Sequence, residues 1–104
     1  MTREIRQEEI DIVSFLLQLR KDMTPIDAIS DFVFDLDDGG MGSIKFLYNK
    51  EQLFGRELIR AEYFDMDGTE VIISLNIDSE DRLMELEFWK VDFSRLCNTR
   101  NQSN

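Results

Sequence analysis

Histidine is absent from this 104-residue chain; cysteine, proline and tryptophan each occur once; and 22 carboxylates outnumber 12 cations. Each shortage closes off some chemistry. Without histidine, the usual base for serine or cysteine attack is missing. A single cysteine, Cys97, excludes an internal disulfide framework and fits a reducing cytosol. Arg95 and Arg100 stand near it and would favour a thiolate, but no acid–base partner accompanies it, so it reads as a bystander thiol. No apolar run approaches the roughly 20 residues that span a bilayer. No basic leader followed by an apolar run is visible either, so no secretory signal is expected and the cytoplasm is the expected location.

What the chain does have is enough apolar material for one core. Hydrophobic residues make up 42 %, with eight phenylalanines, which separates it from chains disordered by composition. The length suits one domain, expected over residues 1–97, with a polar, flexible tail at 98–104. The net charge of −10 is unevenly placed. Between Asp27 and Asp92 there are 17 acidic and 6 basic side chains, a balance of −11; the two ends together are near neutral. Such a field attracts basic partners and repels nucleic acid and anionic membranes.

Helical spacing predicts a helix from about Arg6 to Arg20. Ile5, Ile12, Leu16 and Leu19 share one side, widened by Ile10, Val13, Phe15 and Leu17, opposite a polar stripe of Gln7, Asp11, Ser14, Gln18 and Lys21. Thr24-Pro25-Ile26-Asp27 reads as the start of a short second helix or a turn. Period-two alternation follows. Phe32 to Leu36 reads as a strand, and one-sided runs follow at Ser43–Tyr48, Glu57–Phe64, Glu70–Asp78 and Leu83–Phe93. Asp37-Asp38-Gly39-Gly40, Asp67-Gly68 and Asp78-Ser79-Glu80-Asp81 are turn signals. The expected fold is α+β: one helix, with a short second one, packed on one face of a four- to five-stranded antiparallel meander.

Three constellations compete for function. The Asp-rich turns, Asp35/Asp37/Asp38 and Asp65/Asp67, look at first like calcium loops. An EF-hand starting at Asp65 needs glycine where Glu70 stands, so that motif fails, leaving turn chemistry or a weaker divalent site. A carboxylate enzyme would need an acid with a raised pKa in a cleft, and no apolar wall is apparent for Glu62, Glu85 and Glu87. Recognition remains. The solvent face of the sheet should carry Glu62, Glu85 and Glu87 with Arg60, Lys45 and Ser74, and Trp89 shares the parity of the two glutamates. A tryptophan ringed by carboxylates suits an anchor for a cation-rich partner. The candidate contacts are Glu62, Glu85, Glu87, Trp89, Asp65 and Asp67, with Asp35, Asp37 and Asp38 as a second patch. No cofactor or metal is required.

Asp38-Gly39-Gly40-Met41-Gly42-Ser43-Ile44, Asp65-Met66-Asp67-Gly68, Leu75-Asn76-Ile77-Asp78 and Leu86-Glu87-Phe88-Trp89-Lys90-Val91-Asp92-Phe93-Ser94 resemble a family of small acidic bacterial proteins of unknown biochemical function, from about residue 3 to residue 97. Such proteins are similar to the immunity proteins of contact-dependent growth inhibition and other polymorphic toxin systems. That resemblance implies a non-catalytic protein that binds a cognate basic toxin domain, of the nuclease kind, and neutralises it in the cytoplasm. A metal-binding or carboxylate enzyme, or a general adaptor or oligomerisation domain, stands as the alternative.

Overall fold

A computed structural model describes residues 2–26 and 28–91. Six strands and one helix follow in the order β1 (Thr2–Glu4), α1 (Gln7–Leu19), β2 (Phe32–Asp35), β3 (Ile44–Phe46), β4 (Phe54–Phe64), β5 (Glu70–Asp78) and β6 (Leu83–Lys90). All pair antiparallel in one sheet of order β1-β2-β3-β6-β5-β4. The helix lies on one face, where Val13 and Leu16 join Val33, Ile44, Phe46, Leu75, Leu86 and their neighbours in a single core. No helix among the described residues is long and apolar enough to cross a membrane.

The α+β class and the one-sided strands follow the alternation. Val71, Ile73, Leu75 and Ile77 are all buried, and so are Ile44 and Phe46 on β3 and Leu86 and Phe88 on β6. The sheet differs from a four- or five-stranded meander in two respects. β1 adds a sixth strand; at three residues it is too short to show a period. The chain also does not turn back from β3 to its nearest neighbour. It crosses the ends of β6 and β5 to place β4 at the far edge. Residues 47–53 reach about 23 Å when extended, and three strand spacings need only about 14 Å. The crossing is pinned from below: Gln52 Nε2 donates to Asp78 Oδ2 (2.9 Å) and to the Leu83 carbonyl (3.0 Å), and Ser79 N–H donates to the Leu53 carbonyl.

The expected short second helix does not form among the described residues of that segment. Thr24 was its expected cap. Instead Asp22 Oδ1 accepts from both the Thr24 N–H and its hydroxyl, and Arg20 donates to the Thr24 carbonyl (2.6 Å), so the groups needed to start a helix are engaged locally. Asp27 and residues 92–104, including Cys97, the end of the last expected strand and the expected tail, lie outside the described residues. The apolar face of α1 is narrower than its composition implies. Glu9, Val13 and Leu16 are buried, whereas Phe15 and Leu19 stand 60 % and 52 % exposed. Glu9 is buried because Arg3 of β1 meets both its oxygens (2.9 and 2.7 Å) while Arg6 N–H caps Oε1. Burial pushes the Glu9 carboxyl up, but the Arg3 guanidinium and the Arg6 amide hold it below the usual range.

Candidate functional site

The face away from α1 carries the chemistry. Strand pairing places Thr2, Phe34, Lys45, Glu85, Asn76 and Glu57 in one row across all six strands. Glu87, Ser74 and Arg60 form the next row, and Trp89, Ile72 and Glu62 the third. Four candidates from the sequence, Glu62, Glu85, Glu87 and Trp89, therefore share one surface. Trp89 is 49 % exposed.

Buried Asn76 organises the middle of this surface, its amide donating to Glu87 Oε1 (2.6 Å) and, at longer range, to Glu85 Oε1 (3.4 Å). Glu57 Oε2 accepts from the Ser74 hydroxyl and from Arg60 Nη2 (3.0 Å) and Nε (3.2 Å). The Ser74 hydroxyl, and then Arg60, hold the Glu57 carboxyl below its ordinary value. At the far end Glu62 lies beside Glu70, and a hydrogen bond between the two carboxyls, then their like charge, pushes the Glu70 carboxyl up.

These rows floor an open groove of about 490 Å³. Trp89, Ile72, Phe54 and Met41 give it apolar walls, and Glu57, Glu87, Asp38 and Arg60 give it charge. One wall is the β2–β3 loop. Its backbone turns through Gly39, Gly40 and Gly42 at φ +76°, +83° and +91°, conformations closed to most other residues. Asp38 holds that turn by accepting from the Met41 and Ser43 N–H groups, both at 3.0 Å, and Ser43 Oγ accepts from the Phe88 N–H to fasten the loop to β6.

The other acidic candidates sit elsewhere. Asp65 and Asp67, in the β4–β5 turn, close around Lys90 of β6, whose ammonium lies 2.9 Å from Asp65 Oδ2 and 2.6 Å from Asp67 Oδ2. Lys90 and the Asp65 side chain have no exposed surface, so Asp65 is a core residue and not the surface contact expected of it. Asp67 is 40 % exposed but bound to the same lysine, which holds its carboxyl low. Asp35 accepts from Arg3 Nε and Nη2 (2.9 and 2.8 Å), whose hydrogen bond holds it low as well. With Asp35 exposed but tied to Arg3, Asp38 capping its own turn and Asp37 exposed beside it, the second patch separates into individual roles. Among the described residues no group of three Asp, Glu, Cys or His side chains comes together as a metal site.

Two residues escaped the sequence reading. Lys90 has the parity of Leu86 and Phe88, and a lysine on a core-facing position signals a buried ion pair. Glu57 and Arg60 are three apart, which strict alternation places on opposite faces. A bulge at Leu58 shifts the register between Glu57 and Ile59, and brings both to the open face.

Comparison with the curated proteins and with the solved structures gives no match. One family model does match, over residues 2–100, which is nearly the whole chain. The chain belongs to the family described as Domain of unknown function (DUF6984).

Proposed function

We propose that this protein is a non-catalytic binding module of the immunity-protein kind, which captures a basic toxin domain on the face of its sheet opposite α1. The observation that carries this reading is the make-up of that face. Among the described strand residues, Glu4, Glu57, Glu62, Glu70, Glu85 and Glu87 share it with Lys45 and Arg60, around a half-exposed tryptophan. A nuclease site evolved to hold phosphates would meet a comparable density of negative charge there. Asp65 and Asp67 support the surface from behind and do not touch the partner. Electrostatic steering of this kind brings association rates toward about 10⁸–10⁹ M⁻¹s⁻¹ at low salt, falling steeply as salt rises.

The test is co-expression with a toxin domain encoded beside this chain, followed by binding measurements across ionic strength. Wild type is expected to form a complex and protect cells. E85Q/E87Q, whose amide oxygens can still accept from Asn76, is expected to lose affinity and most of its salt dependence while keeping its melting temperature. A double variant that binds and responds to salt like wild type removes this face from the reading; failure of wild type to bind any such domain removes the function.

A further inference from the structure

Resting on the reading of the face opposite α1 as the binding surface, we infer that its groove is a site for one arginine side chain of the partner, stacked on Trp89 and forked by Glu87 and Glu57. The walls are apolar where a side-chain stem would pass: Ile72 lies directly across the strand pair from Trp89, with Phe54 and Met41 on the flanks. The charge lies on the floor. Glu57, Glu87 and Asp38 against Arg60 leave the groove negative. Each glutamate is already oriented through one oxygen, Glu87 Oε1 by Asn76 and Glu57 Oε2 by Ser74 and Arg60. That leaves Glu87 Oε2 and Glu57 Oε1 to receive the planar donors of a guanidinium.

This combination discriminates between the two basic side chains. A guanidinium is flat, weakly hydrated and forked, so it stacks on an indole and bonds to carboxylates at once. An ammonium is compact and strongly hydrated, and loses more by entering an apolar-walled groove. A phosphate or carboxylate ligand is disfavoured by three carboxylates against one cation. The volume falls within the about 300–1,000 Å³ typical of side-chain- and ligand-sized clefts.

Trp89 is the only tryptophan in the chain, so its emission reports this groove without labelling. The probes are three peptides of equal length on a Gly-Ser background, carrying six arginines, six lysines or six citrullines, titrated into the full-length protein at low salt. The arginine peptide is expected to shift Trp89 emission and bind about fivefold or more tighter than the lysine peptide. The citrulline peptide is expected to bind neither tightly nor with a shift. E87Q should reduce that preference without lowering the melting temperature, and W89A, followed by calorimetry, should abolish it. Equal affinity for the arginine and lysine peptides, or binding that leaves Trp89 emission unchanged, overturns the arginine site while leaving the acidic face as a general cation surface. No binding by any of the three peptides overturns it too, whereas failure of the toxin-domain experiment above removes the reading beneath it.

Discussion

A lysine ammonium with no access to water survives in β6 because two aspartates reach it from the β4–β5 turn. Asp67 is the larger influence, and with Asp65 it raises the Lys90 pKa above the ordinary 10.5 despite the opposing effect of burial. Breaking such a cluster from one side is worse than removing it, because the surviving charge is left buried without its counterion. Lys90→Met should therefore lower the melting temperature by about 10 °C or more. Adding Asp65→Asn to that variant should recover part of the loss; a double variant as unstable as the single one would show that the buried charge was not the cause. The sign with pH follows from the two shifts. Lys90 titrates higher when folded, so its contribution is complete below 10.5 and disappears as pH rises through the folded value. Asp67 is held low, so its part is present at neutral pH and lost as pH falls.

Elements dock through fewer residues than their composition implies. On α1, Leu16→Ala should cost about 2–5 kcal/mol because the side chain is almost wholly enclosed. Phe15→Ala and Leu19→Ala, on the exposed flank, should stay within about 0.5 kcal/mol; denaturant unfolding of the three variants separates them. Gly55 is a second sensitive point. A Cβ there would run into the Asp78 carbonyl of the neighbouring strand, where the first shift in β4 register occurs. Gly55→Ala should destabilise by about 1–3 kcal/mol through forced displacement of that backbone, read by the same unfolding curves. These details mark where sequence reasoning stops. The alternation of β5 was legible because its neighbours on both sides pair without interruption over most of its length. The bulge at Leu58 was not, since one extra residue reverses face parity and leaves no mark in composition. The Thr24-Pro25 helix signal was misleading because Asp22 and Arg20 compete for the same backbone groups.

For the whole molecule, the acid limb of stability should reflect many carboxylates at once. Thr24 and then Arg56 hold Asp22 at about 2, and Asp35, Glu57, Asp67 and Asp78 are also held low. Their contributions persist at neutral pH and vanish as pH falls from the ordinary carboxylate values toward about 2. Glu70 runs the other way: raised by Glu62, it gains from protonation, and so does a chain of net charge −10. Thermal melts should thus peak on the acid side of neutrality, and Glu62→Gln should flatten the rise from neutral pH toward that peak. The surface carrying Glu62, Glu85, Glu87 and Trp89 was legible from parity alone, whereas strand order was not, because it depends on where one seven-residue connection goes. That connection divides the sheet at the middle of the chain. β1, β2 and β3 form one contiguous trio, β4, β5 and β6 the other, and their ladders meet only where Ile44 and Lys45 face Leu86 and Glu85. The β2–β3, β4–β5 and β5–β6 hairpins can form from near neighbours, but β1 must reach past the helix to β2, and the clasp must wait for residues some forty positions apart to find each other. Refolding should therefore be slow for so short a chain, with amide protons at this junction the last to gain protection.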